Sequence, residues 1–222
     1  MMNKIKDTYG AQKFVVDNFE NFSSLMKPKA ADGFYFINII QREKDNPDKG
    51  IRYCNYLSNY WVHNAEELMA TRDKIVRECR ENNARAYIWL NERLENEVLK
   101  YAEIYRQRHM HAATTRAAGK SFRMESRPVC MLDLDTDDER IFKDLVGQIE
   151  SVGARWMEYR TPNGGHHLIV FDYKKAELLD LKKYDGGRDL GWRATVALEY
   201  DKPVILFADL IDNGVHGMKP EE

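Results

Sequence analysis

The chain has 222 residues, enough for one large domain or two small ones with a buried core. Its 43% apolar and 32% charged content excludes a disordered or fibrous chain. The 34 basic and 36 acidic side chains leave a net charge of −2, which excludes a global basic field and confines any nucleic-acid contact to local patches.

Three cysteines, Cys54, Cys79 and Cys130, lack metal-ligand spacing and point to a reduced, cytoplasmic setting. Neither a leader pattern nor a run of about eighteen apolar residues is present, so no membrane contact is expected.

Residues 1–30 are mixed, with Phe14, Val15, Val16 and Phe19 as expected helix contacts. The aromatic and β-branched run 33–40 predicts a strand. Residues 41–50 are charged and carry Asn46-Pro47 and Lys49-Gly50, the marks of a loop. A short strand is expected at Tyr60, Trp61 and Val62. Asn64 then fits a helix N-cap, with Glu66 and Glu67 in the first turn. Leu68, Ile75, Val76 and Cys79 keep helical spacing as far as Asn82 and Asn83. A second strand is expected over 86–90 and a second helix over 92–106. The aromatics Tyr53, Tyr56, Tyr60 and Trp61 are expected to pack this first module, base stacking being the alternative.

Between Arg106 and Arg127 periodicity fails and basic residues gather: Arg106, Arg108, Arg116, Lys120, Arg123 and Arg127. This segment reads either as a solvated connection or as a loop that tracks phosphates. The second half then reads strand 128–135, helix 138–152, strand 155–161, strand 166–173, helix 175–183 and strand 203–211. Residues 184–200 are the least legible. The order βαββαβ is that of the split, ferredoxin/RRM-like unit, with both helices on one face and the other face left for a site. The expected fold class is therefore α+β, an N-terminal α/β module over 1–127 followed by a ferredoxin-like module over 128–222.

The strand 128–135 ends in Asp133 and Asp135. Side chains two apart on a strand share a face, so both carboxylates point the same way and suit a hard divalent cation, Mg2+ or Mn2+. Asp133 lies inside the apolar run, where a residue that merely ends a strand would not be. About thirty residues later, Asn163-Gly164-Gly165 supplies a hairpin turn, and His166-His167 opens the return strand. His167 shares a face with Ile169 and Phe171, and His166 shares the other with Leu168 and Val170. One of the two must therefore face away from the helices, where an imidazole can donate to phosphate or bind metal. Arg160 beside the turn, and Lys174 after the strand, are candidate phosphate contacts.

Leu132-Asp133-Leu134-Asp135 followed by Gly165-His166-His167 resembles the first two motifs of the archaeo-eukaryotic primase (primase-polymerase) superfamily. The segment Thr161-Pro162-Asn163-Gly164 with its histidine is also similar to one in small phage or mobile-element proteins. The resemblance implies a nucleotidyltransferase in DNA replication that acts on a nucleoside triphosphate and a single-stranded or primed nucleic acid, and it leaves room for a helicase partner. It implies that Asp133 and Asp135 bind the catalytic metals and that His167 contacts the triphosphate. Asp209 is implied as the third acid, with Asp212 as the alternative. Two other readings stand beside it: a non-catalytic nucleic-acid-binding protein of the same fold, and a phosphohydrolase suggested by Asp133-Leu134-Asp135-Thr136. In the latter the threonine sits one position too early.

Overall fold

The structure, a computed structural model, describes residues 5–6, 12–27, 30–104, 129–134, 138–160, 165–171, 196–200 and 203–211. It is an α+β protein with two sheets. The elements in chain order are β1 (Ile5–Lys6), β2 (Gln12–Asp17), α1 (Phe19–Ser23), β3 (Gly33–Arg42), β4 (Cys54–Val62), α2 (Ala65–Asn82), β5 (Arg85–Leu94) and α3 (Glu95–Ile104). They continue with β6 (Cys130–Leu134), α4 (Glu139–Ser151), β7 (Arg155–Arg160), β8 (His166–Phe171), β9 (Val196–Tyr200) and β10 (Val204–Ile211). Six strands form one sheet in the order β1-β2-β10-β5-β3-β4, and four form another in the order β7-β8-β6-β9. No helix among the described residues is long and apolar enough to cross a membrane.

The chain divides into two compact units, one of Met1–Leu25, Ile37–Ile88 and Ile205–Glu222, the other of Met26–Phe36 and Trp89–Val204. In the first unit, α1 packs on α2 and buries Phe19 and Phe22, while α2 buries Leu68, Ile75 and Cys79. The Asn64 side chain accepts the Glu67 N–H at 2.9 Å and starts α2. Asn83, in the left-handed region at φ 48°, ends it. These are the caps that the sequence indicates.

Several elements differ from the sequence reading. Phe14, Val15 and Val16 lie in a strand, β2, which pairs antiparallel with β10 in the register Val15↔Asp209. The short strand at 60–62 is the end of the longer β4. On this edge strand Tyr56 is 49% exposed, and Tyr53 just before it is 85% exposed, so neither packs the first module as expected. The strand expected over 86–90 runs on to Leu94, and α3 starts only at Glu95. The continuation passes through polar residues that are buried with partners. Asn91 exchanges two hydrogen bonds with the Val129 backbone, and the Arg93 guanidinium lies 5.0 Å from the Trp89 ring centroid.

The largest difference concerns the last strand. Read from sequence as the end of the second module, β10 instead lies between β2 and β5 in the six-stranded sheet. Val204 to Leu210 are all buried, as suits a strand covered on both faces. The Asn18 amide N–H and side chain donate to the carbonyls of Leu206 and Ile205, both at 2.9 Å, and tie β10 to the end of β2. The fourth strand of the smaller sheet is β9, from the stretch that was least legible in sequence.

In the second unit, α4 carries Ile141, Leu145 and Ile149 at fourfold spacing, and these meet Cys130, Leu132, Leu134, Leu168 and Val170 of β6 and β8. Asp138 caps α4 by accepting the Arg140 N–H at 2.8 Å. The residues between these core positions point to the opposite face. That face is not bare, because Met131 and Ile169 on it are buried.

Candidate active site

Strand pairing places the two sequence motifs side by side. β6 and β8 run antiparallel with Asp133 directly opposite His167, and β8 and β7 run antiparallel with His167 directly opposite Tyr159. Facing residues on adjacent strands have their Cβ atoms about 5 Å apart, within reach of one another's side chains. His167 Nε2 lies 3.1 Å from Asp133 Oδ1, with the two side chains 18% and 22% exposed. His167 Nδ1 lies 2.7 Å from the Tyr159 hydroxyl, and the two rings meet edge to face with centroids 4.9 Å apart.

His166 takes the other face. It is fully buried, stacks on Phe142 of α4 with ring centroids 4.4 Å apart, and holds Glu158 Oε1 at 2.7 Å from its Nδ1. Of the two adjacent histidines, then, His166 belongs to the helix-side packing and His167 to the site. The strand alternation noted in the sequence separates them this way.

Asn91 holds the backbone just ahead of β6. Its side-chain amide donates to the Val129 carbonyl and its side-chain oxygen accepts the Val129 N–H, both at 2.9 Å. A carboxamide thus stands in for a strand partner just ahead of β6, four residues before Asp133. Sequence reasoning passed over both Asn91 and Tyr159. A lone asparagine or tyrosine in a strand carries no local signal, and only the register reveals what each touches.

The other candidate residues are placed differently. Asp135, Lys174, Asp212 and the basic segment Arg106–Arg127 lie outside the described residues. Arg160 closes β7 opposite His166 in register. Asp209 is on β10, in the six-stranded sheet, and is buried with its Oδ2 2.7 Å from Arg80 Nε of α2. The structure therefore brings together Asp133 and His167 and gives Asp209 a cationic partner of its own.

Asp133 presents a carboxylate beside His167, at the 3.1 Å spacing of an ion pair. A carboxylate oxygen is the donor that magnesium or manganese prefers. Among the described residues no group of three His, Cys, Asp or Glu side chains gathers at metal-binding spacing. No family model, curated protein or solved structure matches this chain.

Proposed function

We propose that the four-stranded sheet carries a divalent-metal-dependent nucleotidyltransferase site of the primase-polymerase type, acting on a nucleoside triphosphate and a nucleic-acid strand. The observation that carries this reading is the facing of Asp133 and His167 across β6 and β8 at 3.1 Å. The motif resemblance asks for an acidic strand end beside a histidine strand, and this pairing supplies it. The strand order supports it further. Counted within the second module, the order second-third-first-fourth with α4 after the first strand is that of a ferredoxin/RRM-like unit.

In this reading Asp133 and Asp135 hold Mg2+ or Mn2+, which supplies charge neutralisation at the transferring phosphate. His167 stands beside Asp133 to donate its Nε2–H to a phosphate oxygen. Arg160 and Lys174 add cationic contacts to the triphosphate. Asp209 is the third acid by resemblance. Its pairing with Arg80 favours a second reading, a non-catalytic nucleic-acid-binding protein of the same fold, in which that acid serves stability alone.

Calorimetry of nucleoside triphosphate binding with and without Mn2+ separates the two. The nucleotidyltransferase reading expects Mn2+-dependent binding that Asp133→Asn weakens by at least about tenfold, since removing a charge-assisted ligand costs more than 1.4 kcal/mol. Binding that is absent, or indifferent to both metal and substitution, sinks it and leaves the second reading.

A further inference from the structure

Tyr53 is the most exposed of the large apolar side chains among the described residues, and its backbone sits at φ 63°. A residue other than glycine is uncommon in that region and is strained there. The cause is a tight turn. The Cys54 N–H donates to the Arg52 carbonyl across Tyr53 at 2.8 Å, closing a three-residue turn of the rare, positive-φ kind. The turn is pinned just past the end of β3. The Glu43 N–H donates to the Tyr53 carbonyl, and the Tyr53 N–H donates to Glu43 Oε2, each at 3.0 Å. A strained backbone therefore holds an aromatic ring out in water, where the ring gains nothing from burial. Tyr56, three residues on in the edge strand β4, is the next exposed ring.

Cations gather at the same turn. Arg42 and Lys44 flank Glu43 in the chain, and Arg52, itself exposed, precedes Tyr53. Arg42 Nη1 lies 3.5 Å from the Tyr87 hydroxyl, and Arg85 holds both oxygens of Asp45 at 2.7 and 2.6 Å. Residues 42–53 together with Arg85 bring five cations against three acids, in a chain whose net charge is −2. Lys44 feels that surplus. It is exposed, yet its pKa is held below the ordinary lysine value, first by partial loss of hydration and then by Arg85 and Arg42, with Asp45 acting the other way. Rings held in water beside surplus positive charge suit a polyanion that shows flat faces. A single strand of nucleic acid does so, whereas a duplex hides the faces of its bases. We propose that Tyr53 and Tyr56, with Arg42, Lys44 and Arg52, form a surface that binds single-stranded nucleic acid, the Tyr53 ring stacking on a base and the cations meeting phosphates. The surface belongs to the first unit alone. The choice of nucleic acid among polyanions rests on the reading above.

The test follows the fluorescence anisotropy of a labelled oligothymidylate, about twenty nucleotides long, with the full chain at low salt and in EDTA. Tyr53→Gly is the deciding variant, because glycine adopts a positive φ without strain. The expected result is a melting temperature no lower than that of the wild type, with binding at least about fivefold weaker, the lesser worth of one stacked base. A residue that only shaped the loop would give the first effect without the second. Tyr53→Phe keeps the ring and should bind within about twofold of the wild type. Lys44→Gln should weaken binding and flatten the slope of log affinity against log salt by about 0.7 for one lost phosphate contact. Ultraviolet crosslinking of the wild type, mapped by mass spectrometry, should place the thymidylate within residues 52–56, and this needs no variant to fold. A duplex bound as tightly as the single strand overturns the proposal, as does binding indifferent to Tyr53→Gly or crosslinking confined to other residues. Failure to bind the oligothymidylate overturns it too, and binding of phosphatidylserine vesicles in its place would assign the surface to a membrane. The triphosphate site is read separately. Oligothymidylate binding that Tyr53→Gly loses and Asp133→Asn keeps upholds this surface even where triphosphate binding fails. Triphosphate binding with no effect of Tyr53→Gly on the oligothymidylate leaves the nucleotide site alone standing.

Discussion

Asp209 carries opposite expectations depending on what its carboxylate is for. Its side chain is 5% exposed and its Oδ2 meets Arg80 Nε, whose own side chain is 60% exposed. Arg80→Ala leaves a buried carboxylate without that donor, at a cost of about 1–3 kcal/mol. A fully buried pair would lose more, but the exposed guanidinium is already largely hydrated. Urea melts of Arg80→Ala and Asp209→Asn give this cost directly. If Asp209 serves the pair alone, both variants lose stability and keep whatever Mn2+-dependent nucleotide binding the wild type shows. Loss of that binding in Asp209→Asn, with the fold retained, gives the acid its metal role instead. Asp133 and His167 were legible because each sits in a short run of distinctive chemistry on a strand. Tyr159 was not, because its partner is eight residues away in sequence and is chosen by the hairpin register.

At the scale of elements, α2 was the most legible part of the chain, since its start, its apolar spacing and its end are all local signals. The Asn64 cap predicts that Asn64→Ala costs about 1 kcal/mol. Glu67 adds a pH-dependent part. The His63 backbone N–H and then its ring hydrogen-bond to the Glu67 carboxylate, holding its pKa below the ordinary glutamate value. A depressed carboxyl pKa stabilises the fold above the unfolded value, and that contribution is lost as pH falls through the folded value. Wild type should therefore exceed Glu67→Gln in thermal stability at neutral pH. The difference should close in acid below the ordinary glutamate range, and a pH series of melting curves reads it. Strand membership was far less legible than helix membership. The run of β10 is apolar without alternation, which announces burial on both faces but not which sheet provides it. β9 has five residues and ends the stretch 184–200 that the sequence left unassigned, although Asp201-Lys202-Pro203 marks a turn after it.

At the scale of the molecule, the fold class was readable and the path of the chain was not. The βαββ order of the second module is as the sequence suggests, yet its presumed last strand serves the other sheet. This predicts the outcome of a cut between residues 127 and 128. The fragment 1–127 lacks β10, so β2 and β5 have no strand between them, and it should give a collapsed amide spectrum in 1H–15N NMR. Adding the remainder, 128–222, should restore dispersion if β10 is what was missing. A well-dispersed spectrum from 1–127 alone would refute the placement of β10. The same strand has a consequence for how the protein is made. A ribosome delivers β2 and β5 long before β10, so the larger sheet cannot close until residue 211 has emerged. The two pairings of β10, with β2 and with β5, join strands far apart in sequence, which slows folding and leaves apolar edges waiting. Until β10 arrives, the facing edges of β2 and β5 are the surfaces on which a misfolded or aggregated chain would grow.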